Sequence, residues 1–318
     1  MDGSREAWRA DRILFIMRFL TYLEDGVPRL GLLDGEMVLD VAWAHRRLLG
    51  RARAHEAIGD LLTFIERGSL GLARRLLALG RAQRKAARLW RPLGGLRLLA
   101  PIPRPRKNIF CMGRNYAAHA RESGGAVPDA PVWFTKPPTA VVGPEAPVVH
   151  HDVTAALDYE AELVAVIGRR GRDIPEARAL EYVFGYTVMN DVTARDLQRG
   201  RGQWFKGKSL DTFAPLGPWV VHRSAIPDPQ RLVIRSRVNG EVRQEATTAD
   251  MVFTVAQLIA DLSQGLTLEP GDLIATGTPE GVGMGFSPPK WLHPGDVVEV
   301  EVEGIGTLRN RIVAPSTR

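Results

Sequence analysis

Leu157-Asp158-Tyr159-Glu160-Ala161-Glu162-Leu163-Val164-Ala165-Val166-Ile167 is the stretch from which the rest can be read. It reads as a strand over Asp158–Ile167. Side chains alternate between the two faces of a strand, so Asp158, Glu160 and Glu162 fall on one face. Two neighbouring glutamates repel each other unless a cation or water screens them. Taken alone, the spacing favours an ordinary solvent-exposed strand face.

Further strands are expected at Val183–Met189, Leu232–Val238, Leu273–Ala275 and Val297–Val302. The turns Pro270-Gly271-Asp272 and Pro294-Gly295-Asp296 lead into the last two. One helix stands out, Thr254–Gln264, with Thr254 as its cap, Leu258, Ile259 and Leu262 as its apolar face, and Gly265 at its end. No alternation of strand and helix appears, which argues against a doubly wound sheet. Upstream, from Met17, short strands are punctuated by Asp25-Gly26 and Asp34-Gly35, both hairpin signals. A helical pattern then runs from about Ala42 to Trp90. Pro101-Ile102-Pro103-Arg104-Pro105 cannot continue a helix and marks a boundary. The expected organisation is an extension over 1–16, a small β/helical domain over 17–100 and a larger domain over 101–318, in an α+β, mainly β class.

Composition narrows the function. With 45% hydrophobic and 25% charged residues, the 318-residue chain has the make-up of a globular protein. Its one cysteine, Cys111, allows neither an intrachain disulfide nor a thiolate cluster. No run reaches the ~20 apolar residues of a membrane span, and the apolar stretch Ile13–Leu20 is short, broken by Arg18 and followed by no cleavage signal. A cytoplasmic protein is expected. The net charge of +6 has its excess between Arg46 and Lys107. There Leu61, Leu62, Ile65, Leu72, Leu76 and Leu77 recur at helical spacing, so an amphipathic helical pair with a solvated arginine face is preferred to a nucleic-acid patch.

A third acid changes the reading of the glutamates. Asp191 ends the apolar strand that precedes Val192-Thr193-Ala194-Arg195, and strand ends are where sites are commonly built. Three carboxylates without Cys or patterned His form an all-oxygen set, suited to Mg²⁺ or Mn²⁺ rather than Zn²⁺. His150 and His151 are adjacent, so they would point apart on a strand and are poor ligand candidates. In Gly113–Gly125, His119 and Glu122 are three apart and would meet on one helix face. A carboxylate there orients an imidazole and raises its basicity, although the same pattern describes a surface pair. The glycines behind the pair suit a segment that moves. Ala275–Gly285 lacks the Gly-Lys-Ser/Thr ending of a nucleotide loop, and Pro288-Pro289 blocks a following helix. It reads either as a structural turn or as one whose N–H groups and Thr278 hydroxyl bind an anion. Lys208 is a candidate oxyanion or carboxylate partner, although alone it reads as an ordinary lysine. No Gly-x-Ser-x-Gly elbow is present.

Seven segments in order, GRNYAAHARE, FTKPPTAVVGP, LDYEAELVAVIG, GYTVMNDVTARDLQ, QWFKGKSLDTFAPLGPWVV, RVNGEVRQ and TGTPEGVGMG, resemble the fumarylacetoacetate hydrolase family over about Lys107 to Val313. The start at Met17 and the ending PPKWLHPGDVVEVEVEGIGTLRNRIV are similar to members with a small N-terminal domain. The resemblance implies a mixed β-sandwich roll, usually a homodimer. It also implies Glu160, Glu162 and Asp191 as ligands of Mg²⁺, with Mn²⁺ or Ca²⁺ as alternatives. His119 and Glu122 match a lid dyad, Lys208 a lysine near the scissile group, and Arg195, Gln198, Gly277 and Thr278 the substrate side. A further acidic ligand found in some relatives has no counterpart segment here, and the arginine-rich helices match no motif.

The expected substrate is a small 2-oxo acid, with neither nucleic acid nor membrane as partner. Hydrolysis of a C–C bond in an acylpyruvate-like acid is placed first. Decarboxylation or keto–enol isomerisation of a dicarboxylic 2-oxo acid, of oxaloacetate or hydroxymuconate type, comes second. From another class, a nucleic-acid-binding role would rest on the basic helices alone.

Overall fold

In the computed structural model, residues 16–50, 58–86, 88–200 and 202–315 are described. The proposed 1–16 extension thus falls outside the described residues except for Ile16, which packs against the main core.

Strands β1 (Arg18–Glu24), β2 (Val27–Asp34) and β3 (Met37–Asp40) form a meander whose turns are the two Asp-Gly sites read from the sequence. Three helices follow, α1 (Val41–Leu49), α2 (Leu61–Arg67) and α3 (Leu70–Ala82). Asp40, Asp60 and Ser69 cap them by accepting from the N–H groups of Trp43, Thr63 and Leu72. In α3, Ala73, Leu76 and Leu77 are buried while Arg74 and Arg75 are exposed, so its apolar spacing faces the core.

The chain continues through β4 (Trp90–Pro92), β5 (Arg97–Leu99), β6 (Ile109–Gly113), helix α4 (Ala117–Glu122), β7 (Val132–Lys136), β8 (Val141–Val142), β9 (Val148–Val149), β10 (Leu157–Asp158), β11 (Ala161–Ile167), β12 (Val183–Asn190) and β13 (Thr193–Ala194). Helices α5 (Arg195–Arg199) and α6 (Phe205–Lys208) precede β14 (Ala214–His222), β15 (Val233–Val238) and β16 (Glu241–Thr247). Last come helix α7 (Val255–Leu262), β17 (Leu273–Ala275), β18 (Val297–Val302) and β19 (Gly306–Val313).

Ten strands follow the order β4-β3-β2-β1-β14-β12-β11-β17-β6-β7, with β5 added on β1 and β8 on β14. The N-terminal meander joins this sheet directly through Arg18 opposite Val221 and Phe19 opposite Val220. A second sheet, β16-β15-β18-β19-β9, packs against one face of the first. Helices α1 to α3 cover part of the other face.

Strand β11 is buried along its whole length and shows why its sequence is a continuous apolar run. Leu163, Ala165 and Ile167 face the core between the sheets, whereas Val164 and Val166 face the helical side. This is a mixed, mainly β architecture, as the sequence implied. One expectation needs adjusting: the strand does not run unbroken from Asp158, because Tyr159 and Glu160 lie between β10 and β11. The break has a physical reason. The Tyr159 N–H bonds the Asp158 carboxylate, and the Glu160 N–H bonds the Asn190 side chain, so neither donates to a ladder. Helix α7 follows the expected span closely, with Thr254 and Gln257 forming a reciprocal capping box.

Candidate active site

Glu162 lies on β11, and Glu160 in the irregular turn before it. Asp191 follows the last residue of the neighbouring β12, and its N–H bonds the Glu160 carbonyl at 2.8 Å. The β11–β12 pairing therefore fixes these acids against one another. One carboxylate oxygen from each lies within 4.8 Å of the others, and all three residues are buried. The solvated-face reading is thereby excluded.

Two lysines compensate two of the three. Lys208, at the end of α6, places Nζ 2.7 Å from Glu160 and 2.8 Å from Asp191. Lys136, closing β7, contacts the other Asp191 oxygen and donates to the Val192 carbonyl at 3.1 Å. Burial raises the Glu160 carboxyl, but Lys208 and Arg195 outweigh it and push it down to about 2. Among the described residues Glu162 has no ion-pair partner, only the Gly277 N–H at 3.0 Å. Burial, then repulsion from Asp191 and Glu160, holds it well above the ordinary carboxylate range. A buried trio of hard oxygen donors with one uncompensated member fits a divalent cation.

A pH dependence follows from the sign of each shift. Glu162, raised in the fold, contributes stability that is fully present below about pH 4.5 and lost as pH climbs through its folded value. Glu160, lowered, contributes stability present above about pH 4.5 and lost as pH falls towards 2. Chelated protein should melt at a progressively lower temperature as pH rises above about 4.5, because of Glu162. A saturating divalent cation should raise the melting temperature most at the upper end. A cation-induced shift independent of pH, or none at all, would count against the trio as a ligand set.

His119 and Glu122 meet as expected on α4, Nδ1 to Oε2 at 3.1 Å. The second Glu122 oxygen accepts the Gly281 N–H at 2.9 Å. A Cβ on Gly285 would lie 2.0 Å from the same carboxylate, so the loop approaches it as only glycine allows.

The anion-binding reading of the Ala275–Gly285 loop takes an unexpected form. Its N–H groups hold the protein's own carboxylates: Glu162 through Gly277, Glu122 through Gly281, and Asp158 through Gly283 and Met284. Gly277, expected on the substrate side, is thus committed to Glu162. The Thr278 hydroxyl accepts from Gln244 at 2.8 Å and lines the cavity.

That cavity, about 140 Å³, is also lined by His119, Glu160, Arg195, Gln198 and Lys208, whereas Glu122, Glu162 and Asp191 are not among its lining residues. Arg195 is buried, with Nε on Asp158 at 2.7 Å and Nη1 on Glu160 at 2.8 Å, while its Nη2 has no hydrogen-bond partner among the described residues. An unpaired buried donor at a cavity wall is a place for a ligand oxygen.

Sequence reasoning missed Lys136, whose only signal is a lysine closing a strand ahead of Pro137-Pro138. It also missed Arg114, Arg199, Trp204 and Met284 on the cavity wall. His150 and His151 stay outside the acidic trio, with His151 Nε2 on the Asp211 carbonyl.

Residues 108–313 match the family described as Fumarylacetoacetate (FAA) hydrolase C-terminal. The chain belongs to that family. It is 45% identical over 288 residues to Oxaloacetate tautomerase YisK of Bacillus subtilis (strain 168), covering 88% of this chain and 94% of the relative. A fumarylacetoacetate hydrolase from psychrophilic Exiguobacterium antarcticum superposes with a TM-score of 0.77 at 40% identity, covering 94% of this chain and 100% of that one. A 5-carboxymethyl-2-hydroxymuconate delta-isomerase from Mycobacterium smegmatis does so with a TM-score of 0.71 at 36% identity, covering 95% and 100%. A family enzyme is therefore established; two of these three relatives are named for isomerisation and one for the hydrolysis that the sequence reading placed first. No helix among the described residues is long and apolar enough to cross a membrane.

Proposed function

We propose that this protein is a tautomerase or isomerase of a small dicarboxylic 2-oxo acid, with enol–keto exchange of oxaloacetate as the leading reaction. The observation that carries it is the 45% identity to a relative named for oxaloacetate tautomerisation, and the dyad supplies a proton-transfer group that fits it. With Nδ1 of His119 on Glu122, Nε2 is left as the proton-transfer atom beside the cavity. Such a pair suits water activation or direct proton transfer equally well. The 45% identity to a relative named for oxaloacetate tautomerisation supports the second.

Glu160, Glu162 and Asp191 would hold a divalent cation, Mg²⁺ first and Mn²⁺ or Ca²⁺ as alternatives. When bound, it would supply Lewis acidity to the substrate's 2-oxo group. Arg195 would orient the substrate through its unpaired Nη2, with Gln198 and Thr278 beside it. His119 would take a proton at one position of the enol and return it at another, so no proton is consumed. The Glu122 carboxylate would stabilise the transient imidazolium, and the Gly281 N–H keeps that carboxylate in place. Lys208, held near both Glu160 and Asp191, would place positive charge beside the oxygen that gains negative charge.

A panel of oxaloacetate, a hydroxymuconate-type acid, fumarylpyruvate and simple acylpyruvates tests this reading. Accelerated enol–keto exchange or double-bond migration in the first two is expected, with at most slow pyruvate release from the others. Rapid pyruvate release without isomerisation would restore the hydrolase reading.

A further inference from the structure

The cavity carries more positive charge than the proposed proton transfer uses. Arg114, Arg195, Arg199 and Lys208 line it, against Glu160 as the one acid among its described lining residues. Glu160 already lies between Arg195 and Lys208. Arg114 and Arg199 have no carboxylate partner among the described residues. Their contacts are a ring and a thioether: Arg114 stands 5.5 Å over Trp204, and Arg199 Nη2 approaches Met284 Sδ at 3.4 Å. Neither contact satisfies a guanidinium fork, since a thioether is a weak acceptor and a ring face accepts no fork geometry.

Arg114 in particular is held in place by several independent features. Its backbone has φ 58°, a conformation that side chains rarely adopt. A Cβ on Gly125 would lie 2.7 Å from its Cζ, so the glycine leaves the space the guanidinium occupies. Trp204 is itself seated against Gly113, where a Cβ would meet the ring at 2.2 Å. Arg199 closes α5, four residues after Arg195, so one short helix supplies both cations.

We propose that Arg114 and Arg199 form a second carboxylate subsite, which selects dicarboxylic over monocarboxylic 2-oxo acids. The inference rests on the proposed function, in which the acidic trio and Arg195 engage the 2-oxo end of the substrate. The second carboxylate then reaches the two unpaired guanidiniums, and the apolar surfaces of Trp204 and Met284 line the path of the carbon chain.

The test compares oxaloacetate with its 4-methyl ester, which keeps the 2-oxo acid and removes the distal charge. Turnover and calorimetric binding are measured in Mg²⁺ for wild type, Arg199→Gln and Arg114→Gln. Loss of a charged hydrogen bond corresponds to roughly 10-fold to 100-fold. Wild type should therefore prefer the diacid at least about 10-fold, and in each variant that preference should fall towards one. Arg199 is exposed, so its variant keeps the test intact if Arg114→Gln fails to fold. Equal loss on diacid and ester, or an unchanged preference in Arg199→Gln, would overturn the subsite and leave the tautomerase reading standing. Preferential diacid binding that Arg199→Gln abolishes, in a wild type that converts neither compound, would uphold the subsite and overturn the tautomerase reading.

Discussion

Glu162→Gln is expected to abolish activity while making the metal-free protein more stable above about pH 4.5. The glutamine keeps an oxygen for the Gly277 N–H, yet removes the charge that Asp191 and Glu160 repel. Asp191→Asn should abolish activity equally, with stability moving the other way. It takes the counter-charge from Lys136 and half of that from Lys208, both fully buried. Breaking a buried pair by removing one partner typically costs about 3–5 kcal/mol. Both variants should lose at least about 10³-fold in turnover if each carboxylate holds the ion. The measurement is a pair of melting curves in chelator beside rates in Mg²⁺. Opposite stability shifts with a shared loss of activity are the expected signature. Activity retained in Glu162→Gln would remove that residue from the ligand set.

His119→Ala should slow enol–keto exchange by roughly 10²-fold to 10⁴-fold, the usual contribution of a positioned general base. Cation binding should survive, because the imidazole is not among the trio. The dyad is tied to the Ala275–Gly285 loop through Gly281, so a structural effect has to be separated from a chemical one. Glu122→Gln provides that control: its oxygen can still accept the Gly281 N–H, while the charge is lost and an amide N–H donor replaces the acceptor facing Nδ1. An intermediate rate, with unchanged melting temperature in both variants, fits a proton-transfer role. An unaltered rate in His119→Ala would refute the dyad assignment.

Much of this arrangement was legible before any coordinates. The strand β11, the capped helix α7 and the two hairpin turns follow from local periodicity and turn chemistry, which depend on neighbouring residues alone. His119 and Glu122 were readable for the same reason, being one helical turn apart. Glu160, Glu162 and Asp191 were grouped by strand position and strengthened as ligands by the resemblance, since the β11–β12 pairing that joins them links residues about thirty positions apart. Lys136 escaped notice since its partner Asp191 is 55 residues away and nothing local marks the pair. The sequence left the loop open between a structural turn and an anion site, and it could not show that its N–H groups hold Glu162, Glu122 and Asp158. The break at Tyr159 and Glu160 was invisible for a related reason, as the Asn190 side chain that terminates the ladder lies on another strand.

In the proposed reaction a divalent cation and the His119–Glu122 dyad act together on the enol of a dicarboxylic 2-oxo acid. Its most direct test follows the decay of enol oxaloacetate with the full-length protein, first in excess EDTA and then after Mg²⁺ is restored. The account predicts background decay in EDTA and strong acceleration once Mg²⁺ returns. Full acceleration in EDTA, or none in Mg²⁺, would contradict it.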